Sequence, residues 1–509
     1  MSTVIRDAMA VCKALDIRFL WIDSVCIVQD DKSDWEVQSQ QMGSVYRYSF
    51  LTICAPTSHS CDQGFLGSNN HAIDVPFRSR INPGIVGSYT IEDQGQESGM
   101  RFLHPNNRTP YNIDTGVSSW ATRGWVFQER KLSPRKLVFG RSMFHFVCAH
   151  HSISQNGLVL PSPMMETLLP VFRALQLGLF NEGDVHMAWT EIASEYADLT
   201  LQQQHDRLPA ISGLAQLFAD SARLSEDSYV AGHWKAHLLK GYGLLWQRES
   251  IHTRQSLLDQ FRAAQRLKTP TWSWANQARS FKPGYLHYHP HGSPARPHSC
   301  VEFQKMDVET SHAGLNAFGS VTSGMIRMTG RLKAYASLRV SRQYPSTYAR
   351  RLFEGDCHIA DCVLDWVVHH DGEEQDGLIL LPLLSACPGE SPGLLIYDEL
   401  RGYDIPSQRA KGRCVVPSSN AYTFSATMNA TILKRMTSPE NQEDAEPKCQ
   451  CFKTCAHAEK VNRDVFGIVL CRSDVPEQYW RVGVFFSEAS ETAGLALFRD
   501  VAYQEIITT

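Results

Sequence analysis

The tightest constraint on what this chain can fold into is an apolar run that breaks off abruptly. Phe19-Leu20-Trp21-Ile22 is followed at once by Asp23 and Ser24. An aromatic and β-branched run this short suits a strand covered on both faces better than a buried helix. Asp23, Ser24, Cys26 and Gln29 then sit where such a strand emerges at its carboxyl end, the edge at which open α/β sheets bind ligands. Ser33-Asp34-Trp35-Glu36 has the capping-box pattern of a helix start. The helix it opens carries Trp35, Gln38, Met42 and Val45 on one stripe. Tyr46 and Tyr48 lead into Phe50–Ala55, a second strand that Pro56 ends. Strand, helix and strand at this spacing imply a parallel sheet.

A second block, SWATRGWVFQERKLSPRKLVFG at 119–140, carries more chemistry. A helix from about Arg123 to Leu132 puts Trp125, Gln128, Glu129 and Leu132 on one face, so a carboxylate lies on an apolar stripe. Such a group must be paired, hydrogen-bonded or protonated. Glu129 is therefore either tied to a cation such as Arg123 or Arg130, or is a working group with a shifted pKa. Ser133-Pro134 stops the helix. Two short strands follow, Lys136–Gly140 and Met143–Cys148.

These motifs, WIDSVCIVQDD, the DW helix ending in MGSVY, FLTICA and RGWVFQERKLSPRKLVFG, resemble the heterokaryon incompatibility (HET) domain of filamentous fungi. Downstream, Trp189 with Tyr196 and Thr200, DRLPAISGLA, YVAGHW, LLW, TPTWSWA, and more loosely WRVGVF and LFRD, resemble the region that follows this domain in many large fungal proteins. The resemblance implies an α/β fold: a TIR-like, flavodoxin-like parallel sheet domain, followed by a helical region and a β-rich C-terminal region. It also implies a role in nonself recognition that ends in programmed cell death, by self-association or a protein partner. Some TIR domains cleave NAD with a helix Glu four residues after a Trp, and Trp125 and Glu129 repeat that spacing. By that analogy the second reading is an NAD glycohydrolase with Glu129 as catalytic candidate, NAD as substrate and Asp23, Cys26, Gln29, Arg123 and Trp125 as ligand-binding candidates.

Relative to the family the chain starts late. Val4, Ala8, Val11 and Leu15 form the stripe of a helix leading into the Arg18 run, and the aromatic-rich first strand expected before that helix is missing. The expected organisation is a HET-like α/β domain over 1–160, a helical region over 161–275, a Pro/His-rich linker over 276–300 and a β-rich region over 301–509. Pro56–Ser118 reads as loops and a hairpin with apolar runs at Ile73–Phe77 and Ile85–Ile91. Helical patterns cover Thr167–Leu179, Val185–Leu201, Leu208–Arg223 and Tyr229–Trp246.

A formal charge of -4, from 49 basic and 53 acidic residues, argues against nucleic-acid binding. No apolar run is long enough for a membrane span, and the opening residues do not form a signal peptide. The expectation is a cytoplasmic chain whose 14 cysteines are mostly reduced. P-loop, G-x-G-x-x-G, H-E-x-x-H and G-x-S-x-G motifs are absent. Two Cys/His groups have the ligand types of a metal site: His287, His289, His291, His298 with Cys300, and Cys449, Cys451, Cys455 with His457 in a polar loop at 437–460. Neither has the paired spacing of a structural zinc site, so no metal is assigned.

Overall fold

A computed structural model describes residues 1–58, 60–67, 72–92, 111, 118–140, 143–161, 168–248, 253–267, 269–276, 281–282, 300–342, 350–386 and 462–509. The chain forms two compact units. The first comprises 1–177, 210–217 and 412–435, the second 178–209, 218–411 and 436–509.

The first unit opens with α1 (Thr3–Ala14), capped by the Ser2 hydroxyl, which accepts from the Ile5 amide. Ala8 and Val11 turn inward onto Phe65, Leu20, Ile53, Leu137 and Phe139, as the apolar stripe requires. The Asp7 carboxylate accepts from the amides of Phe65 and Leu66 at 2.7 and 3.1 Å and ties the Phe65 loop to this helix. The run at 18–22, read as a strand, is not one. It is irregular chain leading into a single helical turn, α2 (Asp23–Cys26), and no described residue pairs with it. Leu20 packs into the core as a strand residue would, but Phe19 is 83% exposed. Apolar residues can cover a strand, yet only a hydrogen-bonded neighbour makes one.

Helix α3 (Lys32–Tyr48) begins earlier than the capping-box pattern implies. Its N-cap is Asp31, whose carboxylate accepts from the amides of Ser33 and Asp34 at 2.8 and 3.2 Å. Ser33 lies inside the helix and donates its own hydroxyl to that carboxylate. The helix also runs through Tyr46 and Tyr48, leaving only β1 (Thr52–Cys54) as strand.

A hairpin, β2 (Ala72–Arg78) and β3 (Val86–Glu92), occupies the Gly- and Ser-rich stretch as expected. Helix α4 (Gly124–Leu132) is followed by β4 (Arg135–Phe139), β5 (Phe144–Cys148), β6 (His151–Ser154) and β7 (Val159–Pro161). The sheet has the order β1-β4-β5-β6-β7. Only β1 and β4 are parallel; the other pairs are antiparallel. The sheet is thus mixed, not parallel throughout, because the links between β4 and β7 are a few residues long and short links permit only antiparallel pairing. Helix α5 (Leu169–Gln176) follows, with Pro170 in its first turn.

The second unit contains α6 (Glu182–Ala197), while α7 (Pro209–Ala222) carries the first unit's residues 210–217. Tyr229–Trp246 is not the helix that its apolar spacing implies. It opens with a tight hairpin, β8 (Tyr229–Val230) and β9 (His233–Trp234), then α8 (Lys235–Leu239). The hairpin turns at Ala231 and Gly232, with φ of 47° and 95°, and the Gly232 carbonyl accepts from both the Trp189 and Trp274 indoles at 2.9 Å. A pair of short strands, β10 (Gln247–Arg248) and β11 (Phe281–Lys282), flanks α9 (Arg254–Leu267).

The C-terminal part is β-rich, as expected. Its sheet contains β12 (Cys300–Val301), β13 (Phe303–His312), β14 (Val321–Arg331), β15 (Lys333–Ala334), β16 (Ser337–Arg342), β17 (Arg350–Glu354), β18 (Cys357–Leu364), β19 (Glu373–Asp376), β20 (Ile379–Ala386), β21 (Asp464–Arg472), β22 (Gln478–Ser487) and β23 (Tyr503–Thr508). Pro382 sits inside β20 at a register shift, the place where a missing amide is tolerated. Arg481 and Asp365 form an ion pair at 2.9 Å with both side chains fully buried, and Arg481 also donates to the carbonyls of Leu244 and Trp246.

Candidate functional site

The site is assembled by α2, α3 and α4. The elbow after Ile22 closes on itself. The Ser24 amide donates to Asp23 Oδ1 at 2.7 Å, and the Gln29 side-chain amide donates to the carbonyls of Asp23 and Ile27 at 3.2 and 3.0 Å. The Val28 amide donates to Asp34 Oδ2 at 2.8 Å, fixing the elbow to the first turn of α3. Two edge-to-face ring pairs set the helices: Trp21 against Tyr46 at 5.8 Å, and Trp35 on α3 against Trp125 on α4 at 6.3 Å.

Below these contacts α3 and α7 touch backbone to backbone. A Cβ on Gly213 would lie 2.7 Å from the Cα of Gly43 and 2.8 Å from Gln128 Oε1, so both glycines are required by close approach. The end of α4 is anchored by Ser133, whose hydroxyl donates to the Glu129 carbonyl at 2.6 Å and meets the Thr52 hydroxyl of β1 at 2.7 Å.

This frame holds Glu129 half-buried. Removal of its carboxyl from water raises the pKa from the ordinary 4.5 to about 7, and the negative charge of Asp23 acts in the same direction. Arg123, the N-cap residue of α4, opposes the rise, as does a hydrogen bond from the Tyr46 side chain. Tyr46 in turn is pushed well above the phenol range by burial first, then by Glu129, Asp23 and Cys54, against the pull of Arg123. Of the sequence candidates, Asp23, Arg123 and Glu129 are thus brought into one electrostatic cluster.

The others are placed around it. Trp125 packs on Trp35. Cys26 is an exposed free thiol on α2. Gln29 commits its amide to the elbow. Tyr46, expected on the approach to a strand, lies instead in α3 and joins the cluster. The signal was available: Trp35, Ser39, Met42 and Tyr46 fall on one helical stripe.

Chemically, a carboxyl with a pKa near neutrality can exchange a proton or, when ionised in a desolvated setting, stabilise a developing cation. Among the described residues no group of three or more His, Cys, Asp and Glu side chains is placed to hold a metal ion, and no helix is long and apolar enough to cross a membrane. His287, His289, His291 and His298, the Cys449, Cys451, Cys455 and His457 group and the 437–460 loop lie outside the described residues.

No curated protein and no solved structure matches the chain. Residues 1–129, the stretch that ends on Glu129, match the family model described as heterokaryon incompatibility protein (HET).

Proposed function

We propose that this chain acts in heterokaryon incompatibility as a cytoplasmic signalling or interaction protein, its HET segment engaging a protein partner or a second copy to trigger programmed cell death. The family match over residues 1–129 carries this reading. The test is controlled expression of the full chain in a filamentous fungus, with vital staining of the mycelium and sedimentation of the purified protein. Death on induction together with a partner-bound or self-associated species is the expected result. Normal growth at full expression refutes it.

A second reading follows from one observation, the cluster of Glu129, Asp23, Arg123 and Tyr46. In it the site resembles that of TIR-like NAD glycohydrolases: ionised Glu129 stabilises the ribosyl cation as the glycosidic bond to nicotinamide breaks, and water adds to give ADP-ribose, nicotinamide and a proton. Asp23 and Arg123 orient the dinucleotide. Nicotinamide release by the parent chain, lost in Glu129→Gln and rising with pH through about 7, supports it. Equal silence of both chains refutes it and leaves the first reading untouched.

A further inference from the structure

Hairpin β2–β3 in the first unit joins no larger sheet among the described residues, and its tip is apolar where water meets it. Ile81 is 98% exposed, with Ile85 at 52% and Val86 at 61% beside it. Single exposed apolar residues are ordinary, but three at one apex are not. The backbone of this turn is closed on itself. The Ser79 amide donates to the Ile85 carbonyl at 3.0 Å and the Ile85 amide to the Asn82 carbonyl at 2.9 Å. The Asn82 amide donates to the Ser79 hydroxyl at 3.1 Å and the Gly84 amide to the Asn82 side-chain oxygen at 3.2 Å, while Pro83 has no amide to satisfy.

Two features narrow what covers this tip. Arg78 and Arg80 flank it, both exposed, and no Asp or Glu lies between residues 75 and 91 to offset them. The nearest acids, Asp74 and Glu92, sit toward the far ends of the two strands. A second copy would bring two basic tips together, which repel. The self-satisfied turn also leaves few backbone groups for an added strand to pair with at the apex. Both features suit the surface of an anionic bilayer: buried backbone there must carry its own hydrogen bonds, apolar side chains enter the acyl boundary, and arginines stay at the level of the headgroups.

We propose that the β2–β3 tip docks on an anionic lipid surface, with Ile81, Ile85 and Val86 entering the boundary between headgroups and acyl chains and Arg78 and Arg80 meeting the phosphates. This is a contact on the bilayer, not a span, and it holds whichever of the two functional readings is right. The test is cosedimentation of the full chain with vesicles of equal parts phosphatidylcholine and phosphatidylserine, against vesicles of phosphatidylcholine alone. One basic residue near an anionic surface is worth about fivefold, so the two should favour the anionic vesicles by at least about tenfold. Added salt should weaken that binding. Arg78→Gln with Arg80→Gln should remove the preference between the two lipids. Ile81→Asp should weaken binding roughly tenfold and leave the thermal transition in place, because the side chain it replaces touches almost nothing. A chain that stays in the supernatant with both vesicles, binds both alike, or binds as well with Ile81→Asp overturns the proposal. So does self-association in place of vesicle binding, lost in Ile81→Asp, which would give the tip to a second copy.

Discussion

Replacing Glu129 by Gln should stabilise the first unit, and only at neutral and higher pH. The carboxyl moves from 4.5 to about 7 on folding. At about 1.4 kcal/mol per pH unit this corresponds to at most about 3 kcal/mol. The sign follows from proton counting. Between pH 4.5 and about 7 the folded chain holds a proton that the unfolded chain has released. Folding is therefore favoured below that window, and the advantage is lost as pH rises through it. The substituted amide keeps the shape of the side chain and still accepts from Tyr46 but carries no charge. The variant should therefore match the parent near pH 4.5 and exceed it by about 1–3 kcal/mol at pH 8. Hydrogen exchange of the α4 amides reads the opening free energy of this element directly. An equal difference between the chains at both pH values, or a variant less stable at pH 8, refutes the account.

Other consequences rest on packing and on buried charge. Gly213→Ala should cost about 1–3 kcal/mol, since the added Cβ meets the Gly43 backbone at 2.7 Å; Gly67→Ala, with nothing within 4 Å, serves as the neutral control in denaturant melts. Asp365→Ala strands the fully buried Arg481 and should cost about 3–5 kcal/mol by the same measurement. In the second unit burial, helped by Arg481 and His237, lowers His233 from 6.5 to about 3. Its contribution is present above 6.5 and is lost as pH falls toward 3, so acid titration of tryptophan fluorescence should show a loss that His233→Gln flattens.

Where local sequence decides the structure, it was legible. Helix α4 with β4 and β5 appears where the apolar stripe and the Ser133-Pro134 stop place it, and the β2–β3 hairpin falls on the two apolar runs between its turns. The expectation failed where a partner or a competitor decides. Phe19–Ile22 has a strand's composition without a described neighbour. Asp31 displaces Ser33 as the α3 cap because a carboxylate accepts more strongly than a hydroxyl. The Tyr229–Trp246 pattern has helical spacing, but the backbone turn at Ala231 and Gly232 breaks it, and Trp189 and Trp274 lock that turn through one carbonyl.

Glu129 was legible as an anomaly but not as a role, since a carboxylate on an apolar stripe fits either an ion pair or a working group. The two differ in the direction of the pKa. A pair strong enough to justify the burial would hold the carboxyl below its ordinary value. Here Arg123 is exposed and does not offset burial together with Asp23, so the carboxyl rises. The unit therefore carries a destabilising charge at neutral pH that Arg123 does not neutralise. Sites retained at a cost in stability are those where chemistry or recognition needs the group. On this reasoning the variant that gains stability at pH 8 should be the one that loses function, whether the readout is cell death or nicotinamide release. A chain that became more stable and kept both would reduce Glu129 to an accident of packing.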